Sequence, residues 1–156
     1  MSVAVFLRRA LPADVAALVE LERASSLHPW NEAQLAAEIA RAEPDAVIVM
    51  DGRVGLRAWC AYRLAAGELE ILNLAVDPAD RRLGLGRRLL EAALRRGAAA
   101  GAGRALLEVR ASNDAARSLY AKSGFVAIGL RKDYYVEPLE DALVLARPLA
   151  PGPDLS

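Results

Sequence analysis

The sequence predicts an α/β domain with a mixed, partly parallel sheet. In the second half of the chain, short apolar segments alternate with helical patterns, as in parallel strands joined by helices. In the first half, two helical patterns follow one another and a hairpin-like pair of strand segments comes next. A chain of 156 residues suits one domain with its own core. We expect that domain over residues 1–149 and a flexible tail over residues 150–156.

The first half predicts a strand, two helices and a hairpin. "VAVFLR" (Val3–Arg8) is short and begins with a β-branched residue, which is typical of a strand. "LPADVAALVELERASSL" predicts a helix, and "HPWNEAQLAAEIARA" predicts a second one. In the second helix Asn31 suits the N-cap, and Gln34 completes a capping box. "AVIVMDGRVGLRAWCAYRL" predicts a hairpin that turns at Asp51 and Gly52.

The second half predicts four strands and two helices. "ELEILNLAV" (Glu68–Val76) is a strand, and a helix begins near Leu85. That helix carries an apolar stripe at helical spacing, formed by Leu89, Leu90, Ala93 and Leu94. "RALLEVR" predicts the next strand, and "SNDAARSLYAKSG" predicts a short helix ending at Gly124. "FVAIGLR" and "DALVLARPL" complete the pattern as strands.

Charge and cysteine content restrict the kinds of ligand. The 20 basic residues balance the 20 acidic residues, so net charge favours neither nucleic acid nor an acidic membrane, and any anion site must be local. Cys60 is the single cysteine, which excludes an internal disulfide and a cysteine-based zinc cluster. We expect Cys60 to be a core residue of an apolar strand, and we expect no metal site.

Hydropathy gives no sign of a membrane segment. No apolar run approaches the ~20 residues that span a bilayer. In "MSVAVFLRR" the arginines follow a short apolar run, which is the reverse of a signal peptide. We therefore expect a cytoplasmic protein, as a monomer or weak dimer.

The stretch "AVDPADRRLGLGRRLLEAAL" joins a predicted strand to a predicted helix. Gly84 and Gly86 allow either a tight basic turn or an anion site, and the glycine spacing alone leaves both open. A phosphate loop of the Gly-Lys-Ser/Thr type is excluded because that ending is absent. A dinucleotide fingerprint is excluded because Leu89 stands where the third glycine belongs.

Physical chemistry favours an anion at this junction. The first turn of a helix has unpaired N–H groups and a partial positive charge, and glycines let a ligand approach the backbone closely. Four arginines add positive field, namely Arg81, Arg82, Arg87 and Arg88. The expected ligand is an anion of pyrophosphate size.

These residues resemble a known family. Arg81-x-x-Gly84-x-Gly86 after "NLAVDP" resembles the acetyl-CoA pyrophosphate loop of the GNAT N-acetyltransferase superfamily. "LEVRASNDAARSLYAKSGF", "RKDYY" and "HPWNEAQL" are similar to its RimI group, whose acceptor is the N-terminal alanine of a small-subunit ribosomal protein. The resemblance implies the GNAT fold, with about seven strands in a mixed sheet, about four helices and a splayed strand pair forming the acetyl-CoA cleft.

The resemblance also implies which residues bind acetyl-CoA. The pyrophosphate segment comprises Arg82, Leu83, Gly84, Leu85, Gly86 and Arg87. Leu83 stands where the RimI-type loop tends to be basic, which should weaken phosphate steering. Backbone groups of the splayed strand, at Leu74, Ala75 and Val76, face the pantetheine arm and the thioester. Asn113 hydrogen-bonds the cofactor in this family, and it also suits a helix cap.

Glu108 is the candidate general base. A strand flanked by helical crossovers is expected to be buried on both faces, and burial would raise the pKa of a carboxyl group there. The alternative is a strand-end glutamate that reaches solvent or pairs with Arg110. The residues alone leave that alternative open, whereas the resemblance assigns the glutamate of "LEVRASN" as the base.

Tyr120 is the candidate general acid. Its helical position beside Ala116 and Leu119 also fits an ordinary core aromatic. In GNAT enzymes the matching tyrosine faces the sulfur of coenzyme A, and a phenol with a pKa near ~10 can protonate a thiolate. No metal is implied.

Trp30, Tyr134 and Tyr135 are the candidate acceptor residues. Trp30 lies between the first two helices, where these enzymes shape the acceptor site, although an aromatic before an N-cap also fits a hydrophobic staple. The tyrosines lie where the RimI group places its peptide-facing hairpin loop. The alternative functions are a sister GNAT acting on lysine, a polyamine or another small amine, and a non-catalytic acyl-CoA binder.

Overall fold

The computed structural model describes residues 5–150 and has seven strands and four helices. The strands are β1 (Phe6–Arg9), β2 (Ala46–Gly52), β3 (Gly55–Ala65), β4 (Glu68–Val76), β5 (Arg104–Arg110), β6 (Val126–Val136) and β7 (Leu139–Pro148). The helices are α1 (Val15–Ser25), α2 (Glu32–Ile39), α3 (Leu85–Ala99) and α4 (Asp114–Lys122). Short 3₁₀ turns precede α1 and α3, at Pro12–Asp14 and Pro78–Asp80.

The predicted mixed sheet is confirmed. The strand order is β1-β2-β3-β4-β5-β7-β6. β4 and β5 run parallel, whereas β1 with β2, β2 with β3, β5 with β7 and β6 with β7 are antiparallel. The β4–β5 register covers Glu68–Ile71 against Arg104–Leu107, and both strands extend beyond it. The paired region is therefore shorter than either strand, which is a necessary feature of the predicted splayed pair.

Chain contacts divide the described residues into two compact units. The first unit contains residues up to 63 and Asn73–Ala93, and the second contains Leu64–Leu72 and the residues from 94 onwards. A single domain over residues 1–149 therefore stays a prediction. The predicted tail lies outside the described residues except for residue 150. No described helix combines the length and apolar character needed to cross a membrane.

The first unit has its core between α1, α2 and the β2–β3 pair. Residues 46–50 of β2 are all buried, which explains their continuous apolar sequence. The predicted capping box at the start of α2 is confirmed, since Asn31 and Gln34 exchange hydrogen bonds of 2.8 Å. Cys60 is fully buried, and burial raises the pKa of its thiol to about 12, which fits a core role.

The predicted hairpin forms, but its turn lies two residues later than expected. Gly52 pairs with Gly55, so Arg53 and Val54 make the turn rather than Asp51 and Gly52. Asp51 belongs to β2 because its carboxylate binds Arg8 of β1 at 3.1 Å. Gly55 supplies the positive φ of the turn, at 114°.

The second unit contains a long hairpin of β6 and β7. β6 runs from Val126 to Val136, well past the predicted "FVAIGLR". Tyr134 and Tyr135 therefore lie in a strand and not in the hairpin loop that the sequence predicted. The register shifts between Arg131 and Tyr135, and Asp133 within that shift has a φ of 53°. This irregularity ends the simple apolar alternation and explains why the strand looked shorter from its sequence.

Gly97 of α3 packs against Leu69 of β4 more closely than a side chain allows. A Cβ atom at this position would lie 2.7 Å from Leu69 Cδ2 and 3.1 Å from Leu69 Cβ. Leu69 is fully buried, so it has little room to move away. The glycine is therefore required by helix-to-sheet packing.

We expect Gly97→Ala to destabilise the protein. Overpacking costs about 1–3 kcal/mol, and the better helix propensity of alanine returns about 1 kcal/mol, so the net loss should be about 1 kcal/mol. Urea unfolding would measure it, with Arg95→Ala at an exposed position of α3 as the control. A more stable Gly97→Ala protein would contradict this packing.

Candidate functional site

The segment between β4 and α3 has the backbone of an anion site. Arg82 and Gly84 have positive φ values, 71° and 79°. The first bond of α3 runs from Arg88 N to Gly84 O at 3.1 Å. The N–H groups of residues 85–87 consequently have no partner within the helix. No atom lies within 4 Å of a Cβ built at Gly84, so this side of the loop is open.

The turn before this loop is held by charged side chains of the first unit. Asp80 is buried and binds the guanidinium of Arg57, which also lies 3.9 Å from Asp77. Asp77 caps the 3₁₀ turn by accepting from Ala79 N at 2.8 Å, and its own N–H donates to Arg57 O at 2.8 Å. This support was not predicted from the sequence. The sequence feature that could have indicated it is Asp80, an acidic residue next to the basic segment that begins at Arg81.

Arg81 makes a contact that the sequence did not predict. Its guanidinium donates to the carbonyl of Ser25 at 2.9 Å and so ties the loop to the end of α1. Its charge is not neutralised by this neutral carbonyl, so the positive field predicted at the start of α3 still combines the helix itself with Arg81, Arg82, Arg87 and Arg88. Of the remaining predicted loop residues, Leu83 and Leu85 flank Gly84, with Leu83 exposed and Leu85 buried, and Gly86 is the half-buried second residue of α3.

The β4 segment before the loop has a local irregularity in its hydrogen bonds. The N–H of Leu74 donates to the side chain of the preceding residue, Asn73, at 2.9 Å. A strand N–H satisfied by its neighbour's side chain is withdrawn from a ladder. The disruption over Leu74, Ala75 and Val76 stays a prediction, which this bond at Leu74 supports.

Glu108 lies on β5 beside two residues of β6. Its carboxylate is 3.0 Å from Arg131 Nε, and it lies close enough to the Tyr134 hydroxyl to raise the pKa of that group. The side chain is 24% exposed, and β5 alternates between buried and half-buried residues. The prediction of a strand buried on both faces is therefore wrong. Antiparallel pairing with β7 leaves one face of β5 partly open.

The predicted alternative partner, Arg110, binds elsewhere. It lies 3.3 Å from Glu140 and stacks over the ring of Tyr135 at 4.0 Å. Glu140 also accepts from Ser112 N at 2.7 Å, and these contacts lower the pKa of its carboxyl. Tyr135 packs edge-on against Tyr134, with ring centres 5.1 Å apart. The two tyrosines thus form a layer that joins Arg110 to Glu108.

The pKa values of both tyrosines are raised. The hydrogen bond to Glu108 is the main cause for Tyr134, and burial is the main cause for Tyr135. A raised pKa keeps a phenol protonated to higher pH, so both hydroxyls remain hydrogen-bond donors in neutral solution.

α4 carries the last two predicted residues. Asn113 is its N-cap, and its Oδ1 accepts from Ala116 N at 3.1 Å. Because Oδ1 serves the cap, its amide nitrogen is the group left to face a ligand. Tyr120 is 7% exposed and packs edge-on against Phe125 at 5.6 Å. Tyr120 thus makes a core contact, as expected for the alternative interpretation, in which it is an ordinary core aromatic.

Trp30 lies in the segment between α1 and α2. Its backbone N–H donates to Glu22 Oε2 at 2.7 Å. Its ring meets the ring of Trp59 edge-on at 5.3 Å, with an interplanar angle of 73°. Glu22 was not predicted as a site residue, although a glutamate at helical spacing with apolar residues was the available signal.

Comparison with known proteins adds a family match. Residues 15–125 match the model of the acetyltransferase (GNAT) family. The chain is 32% identical over 139 residues to the ribosomal protein bS18-alanine N-acetyltransferase of Escherichia coli (strain K12), which covers 88% of this chain and 93% of that protein. The enzyme of the same name from Haemophilus ducreyi is 33% identical, over 83% of this chain and 90% of that protein.

A solved structure is similar over the whole fold. The crystal structure of the Escherichia coli ribosomal-protein-S18-alanine N-acetyltransferase aligns with a TM-score of 0.85 and 30% identity. The alignment covers 98% of this chain and 99% of that one. The match extends across the segments that carry the loop, Glu108 and the two tyrosines.

We expect Glu108→Gln to lower the pKa of Tyr134. The substitution removes the negative charge that holds the phenol proton, so the phenolate forms at lower pH. Phenolate absorbance during an alkaline titration would measure the shift, and Tyr134→Phe would assign it. Glu70→Gln is the matched control, because Glu70 raises this pKa only weakly through space. Identical curves for wild type and Glu108→Gln would show that Tyr134 does not reach Glu108.

Proposed function

This chain belongs to the acetyltransferase (GNAT) family, and we propose that it acetylates the N-terminal α-amine of a protein. The proposed acceptor is the N-terminal alanine of a small-subunit ribosomal protein. The full-length similarity to bS18-alanine N-acetyltransferases supports this acceptor. Within the structure, the supporting observation is the position of Glu108, whose carboxylate lies 3.0 Å from Arg131 and beside Tyr134.

Acetyl-CoA is the acetyl donor in this family, and the residues present fit it. The open loop at Gly84 and the unpaired N–H groups of residues 85–87 suit a pyrophosphate. We assign the pyrophosphate to Arg82, Leu83, Gly84, Leu85, Gly86 and Arg87. The backbone of Leu74, Ala75 and Val76 would hold the pantetheine arm and the thioester carbonyl, and the Asn113 amide would donate to the cofactor.

Acyl transfer requires three groups from the protein, namely a general base, a general acid and hydrogen-bond donors for the oxyanion. The amine nitrogen attacks the thioester carbon, so a C–N bond forms, the C–S bond breaks and the sulfur leaves as a thiolate. Glu108 accepts the proton that the amine loses, and Tyr120 donates a proton to the thiolate. N–H groups of the β4 segment stabilise the oxyanion that forms between these events. An α-amine has a pKa near ~8, so a carboxylate is a sufficient base.

The acceptor residues are proposed to bind the chain end by its backbone. Tyr135 keeps its proton in neutral solution and can donate to a peptide carbonyl, whereas the Tyr134 hydroxyl, whose proton faces Glu108, can accept from a peptide N–H. Trp30 provides an apolar wall for the first side chain. Arg131 lies 3.0 Å from Glu108, so an incoming α-ammonium group competes with it for the same carboxylate.

The second candidate function is acetylation of lysine, a polyamine or another small amine. It uses the same cofactor residues and differs only in the acceptor. We propose a cytoplasmic enzyme that works as a monomer or weak dimer, without nucleic acid, membrane or metal. Neither candidate involves a covalent acyl-enzyme, since Cys60 is fully buried and its thiol has a raised pKa.

An acceptor panel distinguishes the two candidate functions. A peptide copying the N-terminus of the ribosomal protein and containing one lysine would be tested with a free and with a pre-acetylated α-amine. Spermidine would be a third acceptor. Thiol release from acetyl-CoA and the product mass would be measured. We expect one added acetyl group on the free peptide, and none on the blocked peptide or spermidine. Equal rates on the free and blocked peptides would refute the α-amine proposal.

Two variants test the proposed chemistry. Glu108→Gln and Tyr120→Phe should each lower kcat by about 10²–10⁴-fold, a typical size for lost acid–base catalysis. The affinity for acetyl-CoA, measured by calorimetry, should remain unchanged. Glu68→Gln is the matched control, because it breaks a surface ion pair with Arg104 of 2.9 Å. A Glu108→Gln protein with wild-type kcat would exclude Glu108 as the base.

A further inference from the structure

Glu22 is a buried carboxylate that the proposed chemistry does not use. It lies in α1 and is 0% exposed. Taking a carboxylate out of water is costly unless hydrogen-bond donors compensate, so a glutamate is seldom retained at such a position. Here burial raises the pKa of Glu22. A leucine would fill a similar space without the desolvation cost of a carboxylate, so the contacts of Glu22 should explain why a glutamate is present.

The donors around Glu22 come from three separate segments of the first unit. The backbone N–H of Trp30 donates to Oε2 at 2.7 Å. The side chains of Trp59 on β3 and Asn73 on β4 also favour the ionised carboxylate. Oε1 and the indole Nε1 of Trp59 are both buried, and neither makes a hydrogen bond of good geometry. The Trp30 bond is therefore the strongest single contact of the carboxylate.

This bond fixes the segment that carries Trp30. The segment between α1 and α2 is exposed at Leu27, His28 and Pro29, and it is held mainly at its two ends. At its start, Ser26 Oγ accepts from His28 N at 3.1 Å. At its end, Glu22 holds the Trp30 backbone while Trp59 contacts the Trp30 ring. Without Glu22, only the ring contact would orient Trp30.

Asn73 connects the same carboxylate to β4. Its Oδ1 accepts from Leu74 N at 2.9 Å, and its side chain lies close enough to Glu22 to favour the ionised carboxylate. Leu74 begins the backbone segment proposed to hold the thioester. Glu22 thus lies between the segment proposed for the acceptor and the segment proposed for the acetyl group, all within one unit of the fold.

We propose that Glu22 is a positioning residue that holds Trp30 in place for the acceptor. The carboxylate acts through the Trp30 backbone and touches neither substrate nor acetyl-CoA. This inference rests on the proposed function only for the identity of the acceptor. Loss of the carboxylate should weaken acceptor binding much more than acetyl-CoA binding.

A merely structural role would have a different signature. It would lower stability and affect both substrates alike. Glu38 of α2 provides the matched control, because it is also a nearly buried carboxylate of the first unit. Its ion-pair partners, Arg63 and Arg41, lie outside the segment of Trp30.

The experiment compares the full-length wild type with Glu22→Leu, Glu22→Gln and Glu38→Leu. Hydrogen exchange of the Trp30 backbone amide, followed by NMR, reports the bond directly and needs no substrate. Steady-state KM is measured for whichever amine in the acceptor panel is acetylated, and Kd for acetyl-CoA is measured by calorimetry. If Glu22→Leu fails to fold, Glu22→Asp replaces it, since its shorter side chain withdraws the carboxylate from Trp30.

We expect Glu22→Leu to accelerate exchange of the Trp30 amide and to raise the acceptor KM about tenfold, the loss of one charged hydrogen bond. The Kd for acetyl-CoA should change less than about twofold, within the scatter of a distant substitution. Glu22→Gln, which keeps an acceptor oxygen, should restore most of the exchange protection and of the KM. Glu38→Leu should lower the melting temperature without raising the acceptor KM.

Three outcomes would overturn the proposal. These are unchanged Trp30 exchange in folded Glu22→Leu, equal losses for the acceptor and acetyl-CoA, or an acceptor KM that rises as much in Glu38→Leu. If the panel reveals a lysine or a polyamine as the acceptor, the α-amine function fails while the Glu22 proposal is still decided by the same measurements. If no amine is acetylated, the acceptor role of Glu22 fails together with the proposed function, and Trp30 exchange then decides only whether Glu22 fixes this segment.

Discussion

The first unit depends on a constraint that every α-helix carries, namely that its first N–H groups cannot be satisfied within the helix. In α3 those groups belong to residues 85–87, and the chain enters the helix through positive φ values at Arg82 and Gly84. Arg57 and Asp80 hold the preceding turn, and Arg81 binds Ser25 of α1. The surrounding charges therefore preserve an exposed set of donors, which is the requirement for binding a pyrophosphate.

In the second unit the charged side chains near Glu108 are paired with one another. Glu108 of β5 lies beside Arg131 and Tyr134 of β6, across the intervening β7, and Arg110 binds Glu140 and stacks over the Tyr135 ring. Each charged group thus has a partner before any substrate arrives. An acceptor amine that approaches Glu108 exchanges one cation for another at the same carboxylate, which costs less than uncovering an isolated charge.

Much of the fold could be predicted because local signals agreed with tertiary needs. The capping box at Asn31, the stripe of α3 and the strand over Glu68–Val76 each depend on nearest neighbours, and each is confirmed. The hairpin turn was misplaced because Asp51 is held in β2 by Arg8, a residue 43 positions away. β6 was predicted too short because its register shift interrupts the alternation that marks a strand. Long-range pairing, absent from local patterns, decided both.

By itself the sequence determined the class of fold, the glycine loop before α3 and the carboxylate of β5 as candidates, because spacing and residue type carry that information. Only the tertiary structure decided how the charges pair. Arg81 donates to the carbonyl of Ser25, and Glu108 pairs with Arg131 instead of Arg110. Glu22 accepts a hydrogen bond from the backbone N–H of Trp30. The physical reason is that the energy of a charge depends on burial and on partners that only folding brings within about 3–4 Å.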